Sequence, residues 1–310
     1  MGLRIRTNVQ SLIAQRHLGQ SRFMMNKKAE ALASGKRINK AADDAAGLAI
    51  SENLRADVRS LYQAKRNASD AVAMLQVAEG TLGEVGNIVV RLKELSVQAA
   101  SDTIGNQERE FLNQEFMALK DEIDRAVLAT DFNGTRLLVG EGEGVAEELL
   151  TGHNFPPLEM QVGKDYLEPT DHIGARNPVN IIKIDFGKLD SRTEGEMGLN
   201  IGSVENSEGT RIDDKENAQR SLERLDEALV KVASYRSTIG SYQNRLESTQ
   251  RNLGVSIENL SAAKSRIVDA DFAHETAQFT QANIMLQAGT AILSQANQFP
   301  SAALELIKGL

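Results

Sequence analysis

The chain has 310 residues and contains neither cysteine nor tryptophan. The first absence excludes a disulfide framework, a thiolate metal site and a cysteine nucleophile. The second, with aromatics at only 4%, excludes a core built on large aromatic anchors. Ala, Leu, Val and Ile must pack helices instead. Proline is scarce and clustered. Pro156, Pro157, Pro169 and Pro178 share one middle segment and Pro300 stands apart, so long unbroken helices are allowed on either side. No run of 18 or more apolar residues occurs, so no transmembrane helix and no membrane insertion are expected. No apolar stretch follows the early basic residues, so a secretory leader is not expected. Arg6 stands where a myristoylation signal needs Ser or Thr.

Charge is unevenly placed. Before Asp43 there are nine basic residues, from Arg4 and Arg6 to Lys36, Arg37 and Lys40, against Glu30 alone. Residues 141–216 are strongly acidic, and 145–210 among them are expected to face solvent. The net charge of −8 disfavours a nucleic-acid partner. The basic N-terminal residues also lack interleaved aromatics for base stacking.

A stretch near the end is unusual in another way. Thr276 to Leu304 carries no charge at all. Amides such as Gln281, Asn283, Gln287 and Asn297 are spread through it, while Ala277, Ile284, Ala288, Ala291, Ile292 and Phe299 recur at helical spacing. Such a helix is poorly matched to bulk water on any face and predicts a surface for assembly. Residues 1–35 form a second amphipathic pattern on Ile5, Val9, Leu12 and Ile13, then Phe23, Met24 and Leu32, broken at Ser34-Gly35.

Between these ends lie two heptad seams. The first long helix should begin at Asp43-Asp44 as its cap and end near Ser101-Asp102, a length of roughly 87 Å at about 1.5 Å per residue. One row is Leu54, Leu61, Ala68, Leu75, Leu82 and Val89; the other runs Ala64, Ala71, Ala78, Val85, Leu92 and Ala99. The second seam, predicted over Glu216–Leu260, places Leu225, Val232, Ile239, Leu246, Leu253 and Leu260 at strict sevens. Arg236, Gln243 and Gln250 make its flanking row polar. Sustained sevens predict coiled-coil packing. A shorter helix over Asn106–Ala129 should lie antiparallel after a short loop. Asn133-Gly134 between apolar flanks signals a tight hairpin. Ile182, Ile184 and Phe186, and briefly Leu199 and Ile201, alternate as short strands.

No constellation for catalysis emerges. His17, His153, His172 and His274 lack ligand spacing. Asp269-Ala-Asp271 reads as a helix cap rather than a calcium loop. Gly140-Glu-Gly-Glu-Gly144 would repel a phosphate and has no following Lys. No cofactor and no metal site are expected.

Four segments in order resemble the bacterial flagellin family. They are Thr7-Asn8 with Ser34-Gly-Lys-Arg-Ile-Asn39 and Ala42-Asp-Asp-Ala-Ala-Gly47; Glu122-Ile-Asp-Arg125 with Phe132-Asn-Gly134; Ser265-Arg-Ile-Val-Asp-Ala-Asp-Phe272; and Gln287-Ala-Gly-Thr290 with Gln295-Ala-Asn-Gln298. The resemblance covers roughly residues 1–140 and 211–310 and leaves the acidic middle uncovered. It implies a mainly α fold: a long antiparallel helical bundle or coiled coil with a β-hairpin, a small strand-containing middle segment, and terminal helices paired in an inner coiled coil. The domains expected are 1–42 with 261–310, then 43–140 with 211–260, and a short acidic region 141–210 with no large outer domain. The implied function is a structural, non-enzymatic subunit that self-assembles into the flagellar filament, exported unfolded by a type III apparatus without signal cleavage. Its termini would fold on polymerisation. Implied partners are further copies of the chain, an export chaperone, and the filament cap and junction proteins. A host Toll-like receptor would be a further partner, through Arg91, Leu95 and Glu115, residues that also fit simple packing roles. Two alternatives stand beside this reading. One is a flagellin-like hook–filament junction protein; the other is a type III secreted membrane translocator, which the amides of 276–304 oppose.

Overall fold

The computed structural model describes residues 8–140, 157–165, 180–194, 198–202 and 210–308, without the side chains of 299–308. Ile5, the side chain of Phe299 and the glycine-rich stretch after Gly140 therefore lie outside the described residues. The elements are α1 (Val9–Ser34), α2 (Ala45–Ala99), α3 (Asn106–Ala129), β1 (Asp131–Phe132), β2 (Thr135–Arg136), β3 (Leu158–Gln161), β4 (Ile181–Ile184), α4 (Lys215–Val268) and α5 (Phe272–Lys308). The fold is mainly helical, as the two seams predict. The chain divides into two units, Met1–Val58 with Glu258–Leu310 and Arg59–Ile257.

The first unit holds the terminal helices. Asn8 caps α1 by accepting a bond from the Ser11 amide at 3.1 Å, satisfying one of the free N–H groups of the first turn. Gly35 ends it in the left-handed region, φ 67°, where a glycine carries no Cβ penalty. The next residues pair with the end of α4 and the link that follows it. The Arg37 amide donates to Val268 O at 2.6 Å and the Ala270 amide to Gly35 O at 3.0 Å. Asp44 caps α2 through the Gly47 amide, 2.9 Å. Asp271 caps α5 through the Ala273 and His274 amides, 3.0 and 3.2 Å. Both Asp caps match the reading from sequence. Asp43 is occupied differently: it accepts the Asn39 and Lys40 amides and pairs with Lys27 at 2.9 Å. The Lys27 bond and the two amides hold its carboxyl at about 2.

In the second unit α2 and α4 run antiparallel. Lys93 pairs with Asp226, Gln243 donates to Glu79 at 2.8 Å and Gln250 to Ser69 at 3.3 Å. The polar flanking row of α4 thus bonds to α2 at two of its positions. Between the helices Leu75, Leu82, Leu225, Ile239 and Leu246 are fully buried. Alanines at 68, 71 and 78 are equally buried, which lets the backbones approach. From α3, Phe116, Ile123 and Val127 join the same core. The hairpin follows with register Asp131↔Arg136 and Phe132↔Thr135. Asn133 (φ 52°) and Gly134 (φ 79°) give the two positive φ values that this two-residue turn requires.

The middle segment departs from expectation in three ways. Strand β3, unforeseen, pairs antiparallel with β4. Leu199 and Ile201 form no strand; their amides donate singly to Arg192 O and Thr193 O. And the described part of the acidic region is not a solvent-facing appendage. Ile184, Phe186, Leu189, Leu199, Ile201 and Ile212 belong to the core. The reason lies on one face of α3. Asn113 Oδ1 accepts the Ile212 amide at 3.1 Å. Lys120 Nζ donates to Ile201 O at 3.2 Å and Thr210 O at 3.3 Å. Asp124 accepts the Thr193 amide at 2.8 Å and its hydroxyl at 2.5 Å. Three polar side chains thereby satisfy backbone groups that docking takes from water. A further difference is at α4, which runs past the last heptad leucine, Leu260, to Val268. Helical backbone outlasts the seam because no Gly or Pro interrupts residues 255–268.

Lys120 is 1% exposed, and burial pushes its ammonium down to about 8, against the pull of Asp124. A lysine lowered on folding adds stability as pH rises from the folded towards the unfolded value of 10.5. The urea stability of the wild type relative to Lys120→Met is therefore expected to grow by on the order of 2–3 kcal/mol between pH 7.5 and 10.5. A pH-independent difference would contradict the burial of a charged group here.

Candidate functional site

Helices α1 and α5 lie antiparallel and touch along their length. Asn8 Nδ2 donates to Ala296 O at 2.7 Å and Ser11 Oγ to Asn297 Oδ1 at 2.8 Å. Towards the other end Lys28 meets Glu275 at 3.0 Å, with Glu275 almost wholly buried. At Gly289 any Cβ would meet Leu18 Cδ1 at 2.9 Å, so the glycine sets how closely the helices approach.

The face that closes this pair is a heptad seam. On α1 the seam takes the shielded positions Ser11, Ala14, Leu18, Ser21, Met25, Lys28 and Leu32, with Ala31 buried beside it. On α5 it takes Glu275, Phe279, Ala282, Leu286, Gly289, Leu293 and Ala296, with Thr276, Gln278 and Asn283 half-buried beside it. Both follow the alternating three- and four-residue spacing of coiled coils. The sequence pattern touches this seam only at Leu32, because small or polar residues such as Ser11, Ala14, Ser21 and Gly289 interrupt the large apolar ones. Spacing alone, with Leu18, Met25 and Leu32 as anchors, is the signal that reveals it.

The residues singled out from sequence occupy the opposite face. Val9 is 52% exposed, Leu12 57%, Ile13 44%, Ile284 60% and Ile292 60%. Ala277, Ala288 and Ala291 are exposed beside them. Together they make an apolar surface that its own chain leaves uncovered. Ile13, His17, Met24, Met285, Ala288 and Ile292 line a groove of about 650 Å³ on it. A shallower depression beside Ala277 and Ile284 continues along α5. Such a surface marks an interaction site, and the absence of charge from Thr276 to Leu304 removes the usual obstacle to burying it.

The seam residues of α2 and α4 are interior. Leu61, Leu75, Leu82 and Val89, with Leu225, Val232, Ile239, Leu246 and Leu253, are all buried; Leu54 is half-buried. Arg91 and Glu115 come together as an exposed ion pair at 2.9 Å. The Glu115 and Glu94 carboxylates raise the Arg91 guanidinium above its ordinary value. Leu95 lies underneath them, 1% exposed, in the core rather than on the surface. Among the described residues no cluster of His, Asp and Glu could hold a metal ion, and no helix is long and apolar enough to cross a membrane.

These placements set up a contrast. Leu95→Ala should cost about 2–5 kcal/mol of stability in urea unfolding. Exposed ion pairs contribute little, so Arg91→Ala or Glu115→Ala should leave the midpoint nearly unchanged. Equal losses for Leu95 and Arg91 would refute the division into core and surface.

Comparison with known proteins agrees with this architecture. Residues 5–143 match the bacterial flagellin N-terminal helical region, and residues 222–307 match the bacterial flagellin C-terminal helical region. The chain is 38% identical to the flagellar filament 33 kDa core protein of Treponema phagedenis, over 98% of this chain and 99% of that one. It is 39% identical to a flagellin of Halalkalibacterium halodurans, over 98% and 99% of the two chains. A putative flagellar hook-associated protein from Vibrio parahaemolyticus shares the fold, with a TM-score of 0.54 over 73% of this chain and all of that one, at 15% identity. With both terminal helical regions matched and relatives aligned from end to end, the chain belongs to the bacterial flagellin family.

Proposed function

We infer that this chain is the structural subunit of the bacterial flagellar filament, a secreted, extracellular, non-enzymatic homopolymer that serves motility. One observation carries the inference from the residues upward: the terminal helix pair leaves an apolar face open, and α5 carries no charge from Thr276 to Leu304. Copies of the chain supply the cover. A contact between different patches of successive copies does not close on itself and generates a helix. The polymerisation residues are then Val9, Leu12, Ile13, Ala277, Ile284, Ala288, Ala291 and Ile292, with Ile5 and Phe299 in the same rows of the sequence. Folding of this pair is coupled to assembly. The pair's own seam is thin in large apolar side chains, and ordering costs about 1–2 kcal/mol per residue. Cover from neighbouring copies, at roughly 25 cal/mol per Å² of apolar surface, offsets it.

The finer partners follow from the family reading: an export chaperone for the unassembled termini, a cap at the growing end and junction proteins at the base. A Toll-like receptor contact would use Arg91 and Glu115, the two accessible members of the triad, while Leu95 supports them from beneath. The hook–filament junction alternative has a shared fold behind it, and a fold alone does not assign a role.

Removal of Thr276–Leu310 should abolish polymerisation, read by electron microscopy and sedimentation, while circular dichroism shows the α2–α4 bundle still helical. Filaments formed by the truncated chain would overturn the inference.

A further inference from the structure

One ionisable side chain lines the groove on the terminal pair. His17 of α1 is exposed there beside Ile13 and Met24, and Met285, Ala288 and Ile292 line the groove from α5. No carboxylate is among the residues that line it. The next residue, Leu18, lies against Gly289. Along α1 the charged neighbours are Arg16, Arg22, Lys27 and Lys28, all basic, and Glu30, whose carboxylate is held by Lys40 at 2.8 Å. On α5 there is no charge from Thr276 to Leu304. The carboxylate that precedes this stretch is Glu275, roughly 21 Å from Gly289 along the helix and already paired with Lys28. A proton taken up by His17 therefore meets no counter-charge within its own helix pair.

We propose that His17 is an acid-release switch of the assembled polymer: filaments hold while its imidazole is neutral and come apart when it is protonated. The proposal rests on the reading of this face as a polymer contact, and it concerns the filament, the state in which the terminal pair is folded. There another copy fills the groove. The terminal pair of that copy brings an uncharged α5 or a basic α1, and neither supplies a free carboxylate. A neutral imidazole is accommodated, because one ring nitrogen donates and the other accepts, and Gln10 and Gln20 line the same groove with amides. An imidazolium in the same place is a buried charge without a partner. In the free subunit, with the pair unfolded, the ring meets water and takes up its proton without that cost. The filament thus binds the proton less readily than the subunit, and by linkage acid favours release. Polymer stability is full above the ordinary range of histidine, around pH 6.5, and declines as pH falls below it. With protonation blocked in the filament, each pH unit below that point raises the critical concentration about tenfold. This window lies above the ordinary range of carboxylates, near pH 4.

The test uses full-length wild type, His17→Gln and His274→Gln, assembled at about pH 7.5 and shifted to about pH 5.5. Sedimentation measures the subunit left in solution, and electron microscopy examines the pellet. Soluble wild-type subunit should rise about tenfold, while His17→Gln stays near its neutral value. The His274→Gln variant should follow the wild type, because that ring bonds to Gln278 outside the groove. Wild-type filaments that hold at the lower pH would overturn the proposal. So would equal release of the His17→Gln variant. Should that variant not assemble at neutral pH, a second measurement on the wild type decides. Deuterium uptake at the imidazole C2 carbon, read by peptide mass spectrometry across pH, follows each histidine separately. In filaments kept well above the critical concentration, His17 should stay neutral to lower pH than in free subunit. The same midpoint in both states would overturn the proposal. Failure of the wild type to assemble at neutral pH would instead sink the polymer reading, and the proposal with it.

Discussion

The structure depends on covering an apolar face that the chain cannot cover by itself. Ile284 and Ile292 of α5 and Leu12 of α1 stand more than half exposed, although each would contribute about 1.5–3 kcal/mol if fully buried. Their own helix pair is already closed on its other side by Leu18, Leu286, Gly289 and their neighbours. Nothing on α5 from Thr276 to Leu304 supplies charge to keep the open face in water. The physical resolution is more copies of the same surface. Amides along α5 then provide the directional bonds that a purely aliphatic contact lacks, as the Asn297–Ser11 bond already does within the chain.

The rest of the chain is built to be stable without that cover. In the second unit the α2–α4 seam places fully buried leucines between buried alanines. The α3 face of Asn113, Lys120 and Asp124 fastens the middle segment through backbone groups rather than through matched side chains. A buried lysine is a costly choice for that task, because desolvation lowers its pKa. It nonetheless holds two carbonyls, Ile201 O and Thr210 O, with one group. The two units thus differ in kind: one is a finished core, and the other has a face that awaits a partner.

The seam rows of α2 and α4 were legible because strict sevens over six positions leave few other solutions. The hairpin was legible because Asn-Gly is among the few pairs that accept two positive φ values. What sequence did not disclose was which face of α1 and α5 closes the pair. Periodicity located the larger aliphatic residues, and in a monomeric protein those would point inward. Here they point out, on the face away from the helix that closes the pair. Inward positions such as Ser11, Ser21 and Gly289 carry no hydropathy signal, and they break up the signal of Leu18, Met25, Leu286 and Leu293 between them. Strand β3 and the burial of Leu199 and Ile201 were hidden for a different reason. Their cover comes from α3, far away in sequence, and the acidic composition of the segment describes residues that the core does not use. Leu95 shows the same limit at one position: its neighbourhood in sequence is a surface motif, and its side chain is in the interior.

The most direct measurement is amide hydrogen exchange on free subunit and on filament in the same buffer. Residues 9–34 and 276–298 should exchange rapidly in the subunit and become strongly protected in the filament, while the α2–α4 core between Leu75 and Val89 stays protected in both. Equal protection of the terminal helices in subunit and filament would contradict the claim that assembly completes this fold.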